Sequence, residues 1–481
     1  MFDKLLIKLL QAPIFLFHFL IPKNQISYVL NKDLFNSIKF FWTFNETLRL
    51  FFHLLTCVLI SIYFNLYSIF FFPILFFGYY KFFIFYLNAN KYINHSESIT
   101  ISQISSILFE TFSNLLTIRA YNSQEKLREK FHLKLDDYYK CLLFNSGTSS
   151  WFALIIDLTT FSYLFLILIY CLFFRNSLNI LEVGLLLMYT LKLLENCFNF
   201  FENFTKNEKY LINIERCDKF IHIIQEKNFY NKNDKKFNFF KGKIVFVNYN
   251  VKYRPDSNLI LKNINVEIKN GEKIAIVGKN GSGKTTFALC LLRILEPFSG
   301  KILIDDVDIT GIGLKFLRKN VVTYVSKDSQ VFEGNLKENL DPMNNVNDEE
   351  IIKEIKEFGL DYLIENENLE FFINENGSNL SLGERQLICI IRTLLNKSKI
   401  LIMDEATGSL DYKTEDLIQN IIKEKLKETT VINIPHRIKT ILNYDKVFVF
   451  EKGEIIEKGK PSELINNKKG IFYDLFTKSN I

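Results

Sequence analysis

The chain has 481 residues, of which 49 are Phe, with aromatics at 15% and charged residues at 23%, so its apolar and charged segments have to be separated along the sequence. The length suits about three soluble domains or a membrane bundle joined to one large soluble domain. A net charge of +6, with bases and acids interleaved, sets nucleic-acid binding aside, and Cys57, Cys141, Cys171, Cys197, Cys217, Cys290 and Cys389 show no CxxC pair or histidine at metal spacing and read as buried, reduced thiols.

Lys4 and Lys8 precede an apolar run from Ile14 to Ile21, but no small-residue cleavage site follows Pro22, so a cleaved leader is not expected. Residues 50–88 are almost continuously apolar, about twice the ~20 residues a crossing helix needs. With Pro73 near its middle, this stretch predicts a hairpin of two spans connected at 71–74. Residues 101–140 follow as amphipathic helix, with Ile104, Ile107, Leu108, Phe112, Leu115 and Leu116 at helical spacing. A third span covers 151–174, where residues 161–174 (FSYLFLILIYCLFF) carry no charge and no polar face. A fourth runs from about 180 to 204, after the polar Arg175, Asn176 and Ser177. Glu182, Lys192 and Glu195 lie within it and are expected to face the bundle interior or a wet cavity, paired between helices or at a helix end, because charge facing lipid costs several kcal/mol. The connections between spans hold only Arg175, whereas 22–49 and 91–140 are rich in Lys and Arg, which puts those flanks and the soluble domain on the cytoplasmic side. The expected division is a partial membrane domain at 1–225, a linker at 226–243 and a soluble nucleotide-binding domain at 244–481.

Residues 272–287, EKIAIVGKNGSGKTTF, read as a buried strand, a glycine-rich loop and a helix. Their GxxxxGK[ST] core spans Gly278 to Thr285, the pattern of a loop that cradles phosphates with its amides at a helix N-terminus. Gly278, Lys279, Asn280, Gly281, Ser282, Gly283, Lys284, Thr285 and Thr286 are therefore the expected nucleotide-binding set. Lys284 would neutralise the β- and γ-phosphates and Thr285 would hold Mg²⁺. Residues 379–387 read NLSLGERQL. A second apolar strand, Ile400 to Met403, ends in Asp404 and Glu405, a pair suited to magnesium-assisted hydrolysis with Asp404 on the ion and Glu405 polarising the attacking water. A last strand leads to Pro435, His436 and Arg437.

The phosphate loop, LSLGERQ, the Asp404–Glu405 strand and the lone His436, in this order, resemble the ABC ATPases. ENLDP at 338–342, ENGSNLSLGERQL, ILIMDEATGSLD and VINIPHRIKTI resemble the second ATPase domain of the multidrug-resistance-associated, or C, subfamily. FDKLLIKLLQAPIFLF at 2–17 and TFSNLLTIRAYNSQEKLREKF at 111–131 resemble that subfamily's second membrane domain. The resemblance implies an all-α exporter-type bundle of about four spans followed by an α/β phosphate-loop NTPase with a helical subdomain. It implies ATP and Mg²⁺ as cofactors, an exposed Tyr253 stacking on adenine, and Ser381, Gly383 and Glu384 meeting the γ-phosphate held by a partner domain. It further implies that Ser409, Leu410 and Asp411 communicate across the dimer, while His436 holds the γ-phosphate and attacking water with Glu405.

Two positions depart from the family. Lys327 stands where a glutamine normally reaches Mg²⁺, which leaves three readings: Lys327 points away, Gln330 substitutes, or coupling weakens. Glu384 replaces a glutamine of the signature, a milder change. The family's bundle has six crossings, so four imply an incomplete pathway, and one phosphate loop with one signature implies a second ABC half, whether a copy or a separate chain. The expected function is ATP hydrolysis driving export of an unidentified solute, an organic anion or drug conjugate by resemblance, from an integral multi-pass membrane position. The alternatives are a nucleotide-binding regulatory or channel-associated subunit without pumping, and a truncated transporter fragment.

Overall fold

The computed structural model describes residues 2–174, 179–231, 241–364, 368–408 and 410–478. It divides into two compact units, one of residues 1–12 and 18–224, the other of residues 13–17 and 225–481.

The first unit is helical. Its long members are Leu34–Phe64, Ser68–Ser113, Gln124–Phe173 and Ile180–Ile221. The first packs along the fourth and the second along the third. Their shared core is aromatic: Tyr86 stacks on Phe152 with centroids 4.5 Å apart, beside Phe83, Phe201, Cys57 and Cys197. Most other large apolar side chains point outward, among them Phe41, Trp42, Phe70 and Phe173. That is the inverse of a soluble protein and the arrangement a hydrocarbon solvent favours.

Two expectations need correcting here. The first hairpin does not turn at 71–74. The chain turns at 65–67, where the Asn65 side chain accepts from the Tyr67 amide at 3.1 Å, and Pro73 lies inside the next helix, five residues past its start. An Asn with its own side-chain-to-backbone bond makes a turn more directly than a proline that neighbouring helices can accommodate. The count of four spans also shifts. Among the described residues, three helices, Gln25–Phe64, Ser68–Ser113 and Gln124–Phe173, are long and apolar enough to cross a membrane by length and composition. The fourth, Ile180–Ile221, is long, but Glu182, Lys192 and Glu195 lie along its apolar part. Lys192 and Glu195 are exposed and neither forms an ion pair with a described residue; Lys192 instead lies over the Tyr189 ring.

The second unit is α/β. Its strands are β1 (Ile244–Val251), β2 (Leu261–Ile268), β3 (Lys273–Gly278), β4 (Ser299–Ile304), β5 (Val307–Asp308), β6 (Val322–Val325), β7 (Gly334–Asn335), β8 (Phe372–Ile373), β9 (Ile400–Asp404), β10 (Thr430–Ile434), β11 (Lys446–Glu451) and β12 (Glu454–Gly459). A six-stranded sheet runs in the order β12-β11-β3-β10-β9-β6, parallel except at β12. Strands buried on both faces need continuous apolar runs, and β9 and β10 are buried at every residue. A four-stranded antiparallel sheet, β2-β1-β4-β5, covers one side of a core that includes Phe246, Phe287 and Phe450. A second cluster, around the helices Asp348–Glu357 and Leu382–Leu395, forms the helical part of the unit. Because β3, β6, β9 and β10 are parallel neighbours, the segments leaving them all emerge at one edge, the carboxyl edge where open α/β sheets place ligands.

Candidate functional site

The phosphate loop leaves β3 at Gly278 and enters the helix Lys284–Leu291. Gly278 has φ +153°, and a Cβ there would come within 2.3 Å of the Phe450 carbonyl oxygen, so no other residue fits so close to β11. Above Gly281, by contrast, the space is open. Ser282 is buried, and its hydroxyl has no hydrogen-bond partner among the described residues. A buried orphan donor beside an open glycine suits a phosphate oxygen as the missing partner. The Lys284 ammonium donates to the carbonyls of Gly278 at 2.8 Å and Lys279 at 3.1 Å. Burial holds it below the usual lysine range, while Glu405 and Asp404 pull the other way and Lys327 adds to the lowering. Lys279, Asn280 and Thr285 are exposed at the loop mouth, and Gly283 caps the helix.

Asp404 ends β9 and is buried. It accepts from the Tyr324 hydroxyl at 3.2 Å and from Thr285. Burial raises its carboxyl above the ordinary range, and these two bonds partly offset that. The Thr285 hydroxyl and Asp404 carboxylate form the all-oxygen donor set a hard cation such as Mg²⁺ prefers. Glu405 follows in the left-handed region at φ +49°, with its amide donating to the Ile434 carbonyl at 2.9 Å. Its carboxylate does not stand free: Lys327 Nζ lies 2.7 Å from Glu405 Oε2. The reading in which Lys327 points away is therefore overturned. Gln330 is exposed, and its backbone carbonyl accepts from Cys389 and Arg392.

His436 is exposed two residues beyond the end of β10, and a Cβ at Gly408 would lie 3.8 Å from its ring. Behind it Arg437 donates to Glu415 at 2.8 Å, and Thr407 donates to the same carboxylate at 3.1 Å. Glu415 is 1% exposed, so this pair anchors the histidine loop from inside the core.

Tyr253 is less exposed than expected. Its ring is half-buried, lies 4.6 Å from that of Phe15, and its hydroxyl sits 2.8 Å from Thr286 Oγ1. Ser381 caps the helix Leu382–Leu395: its hydroxyl accepts from the Glu384 amide at 3.2 Å, and Glu384 accepts from the Ser381 amide at 2.8 Å. Glu384 thus closes a capping box next to Gly383. No hydrogen bond among the described residues joins this helix start to the phosphate loop. Leu410 is buried, Asp411 caps the helix Tyr412–Lys425, and Ser409 lies outside the described residues.

Sequence reasoning missed Tyr324, the Arg437–Glu415–Thr407 anchor, Phe15 and the partner of Lys327. None of them carried a signal in the sequence: Tyr324 comes near Asp404 only because β6 pairs in parallel with β9, which sets it opposite Ile402.

Known proteins share both units. Residues 261–408 match the ABC transporter family, and residues 36–194 match the ABC transporter transmembrane region. ATP-binding cassette sub-family C member 2 of Mus musculus is 36% identical over 83% of this chain, and bile pigment transporter 1 of Saccharomyces cerevisiae is 35% identical over 82%. The chain spans about a quarter of the length of these relatives, 26% and 27% respectively. A solved bacterial Atm1-family ABC exporter with ATP bound superposes with a TM-score of 0.88 at 20% identity, covering 100% of this chain and 84% of its own.

Proposed function

The chain belongs to the ABC transporters, with their transmembrane region and their ATPase domain in one multi-pass membrane protein, and from that premise we propose that it is one half of an ATP-driven exporter. The observation that carries the reading is the convergence, at one sheet edge, of an open phosphate loop with an orphan Ser282 hydroxyl, the Thr285–Asp404 oxygen pair and the carboxylate of Glu405. Such a site takes a nucleoside triphosphate, with loop amides and Lys284 on its phosphates and Tyr253 on its base. Mg²⁺ held by Thr285 and Asp404 would supply charge neutralisation at the phosphates. Glu405 and His436 are assigned the attacking water, Glu405 accepting its proton.

Ser381, Gly383 and Glu384 are assigned to the γ-phosphate of a second ABC half, whose identity is open. Closure of the paired ATPase domains would then move the membrane helices. Organic anions or conjugates are the proposed cargo, in line with the subfamily relatives, and the soluble unit is assigned to the cytoplasm. The test is ATP hydrolysis and ATP-driven uptake into inside-out vesicles carrying the full chain. Lys284→Ala is expected to abolish nucleotide binding. Glu405→Gln is expected to retain binding and lower hydrolysis by a factor of about 10²–10⁴, the usual range for losing a general base. Hydrolysis by Glu405→Gln at the native rate refutes the assignment of the base; hydrolysis without any solute uptake refutes the exporter.

A further inference from the structure

The ion pair between Lys327 and Glu405 is specified by the fold. β6 and β9 are parallel with Val325 opposite Met403, so the chain two residues past β6 lies beside the residues that end β9. The turn that carries Lys327 is closed by a bond from the Ser326 hydroxyl to the Asp328 carbonyl at 2.7 Å. Glu405 is fixed from its own side by its left-handed backbone and its amide bond to Ile434. The lysine side chain is 69% exposed and the glutamate 22%, so the ammonium reaches in from solvent across the mouth of the site. The charged groups that meet there are Asp404 and Glu405, with Asp328 on the Lys327 turn, against Lys284 and Lys327. Lys284 and Lys327 thus match the charge of the two acids that end β9, and Asp328 adds one exposed carboxylate beside them. A neutral residue at 327 would leave one uncompensated negative charge, which repels the triphosphate and draws in a divalent cation.

We propose that Lys327 is a positioning residue that acts as a resident counter-ion: it holds Glu405 across the mouth of the site and makes nucleotide binding by this chain only weakly dependent on divalent metal. The inference rests on the nucleotide-binding role proposed above. Its physical content is competition, because a cation a few ångströms from the metal position disfavours the metal while directly favouring the phosphates. The same pairing keeps Glu405 occupied until the bound triphosphate offers the ammonium a second anion.

The experiment is a titration of the full chain in lipid nanodiscs with a fluorescent, non-hydrolysable ATP analogue, in Mg²⁺ and in EDTA. The native chain is expected to show Kd values within about threefold of each other in the two conditions, whereas Lys327→Gln raises the EDTA-to-Mg²⁺ ratio at least about tenfold, of the order of one charge at partly screened distance. Lys327→Arg, which keeps the charge, returns the ratio to the native range, a rescue that a merely structural role would not show. Because Lys327 is largely exposed, its replacement leaves the core intact, and Lys284→Ala serves as the non-binding control. A Lys327→Gln chain with the native ratio overturns the inference while leaving nucleotide binding intact. Absence of analogue binding by the native chain in both conditions overturns the nucleotide reading and this inference with it.

Discussion

Asp404 shows how a single side chain sets stability against function. Buried under Tyr324 and Thr285, its carboxyl is held above the ordinary range, so the ionised form costs the folded unit stability. The sign follows from proton linkage. The folded state binds the proton more tightly than the unfolded chain, so the cost is fully present above the raised folded value and fades as pH falls through it toward the ordinary carboxylate range. Without nucleotide or metal, Asp404→Asn is expected to raise the melting temperature of the soluble unit at neutral pH, and the gain should shrink on acidification. With Mg²⁺ and nucleotide the order reverses, because the amide lacks the charge that holds the ion. Scanning fluorimetry at several pH values reads both outcomes; an Asn variant less stable than native in the metal-free state contradicts the argument. The chemistry of this residue was legible from sequence, since a strand ending in two acids downstream of a phosphate loop is a covalent pattern. Its environment was not, because Tyr324 and Lys327 reach the acids through β-strand pairing across about 80 positions of sequence.

The helix Leu382–Leu395 carries two demands on one residue. Ser381 caps it, and the same side chain is assigned to a partner's phosphate. Substitution separates the two. Ser381→Ala removes the cap at a cost of about 1 kcal/mol, which for a unit of this size lowers the melting temperature by roughly 2–4 °C. Ser381→Asp caps about as well as serine, yet puts a carboxylate where the γ-phosphate is to sit. It should keep the native melting temperature and lose hydrolysis; an Asp variant that melts early, or hydrolyses at the native rate, rules out the separation. Helix starts of this kind were readable because Ser-x-x-Glu is a local pattern. The first membrane hairpin was not. Its apolar run extends past the turn almost without interruption, Pro73 drew the boundary eight residues too far, and the true stop is the small local bond made by Asn65. A bilayer asks only for apolar length, so it leaves few marks at the point where a span ends.

These 481 residues hold one phosphate loop and one signature helix, so the proposed chemistry needs a second ABC half, and whether a second copy of this chain supplies it is testable without knowing the cargo. If two copies of this chain pair, Lys284→Ala removes nucleotide from every loop and Ser381→Asp spoils every signature, and each variant alone is inactive. Mixed in equal amounts before reconstitution, about half of the dimers carry one of each, and in those one site joins two spoiled elements while the other joins two intact ones. The mixture should therefore recover about a quarter of the native hydrolysis, provided that one intact site can turn over alone. Recovery at that level assigns a second copy as the partner; a mixture that stays inactive while the native chain hydrolyses excludes independent sites in a homodimer. The exposed Lys192 and Glu195 give the membrane unit a matching requirement. Charges directed at lipid are costly, so their side of the helix Ile180–Ile221 is expected to face protein or a wet cavity once the second half is present. A cysteine placed at Lys192 should then label slowly with a hydrophilic thiol reagent in a chain held apart from its partner, where the position meets lipid, and faster, in a nucleotide-dependent way, in the assembled pair where it lines a wet cavity.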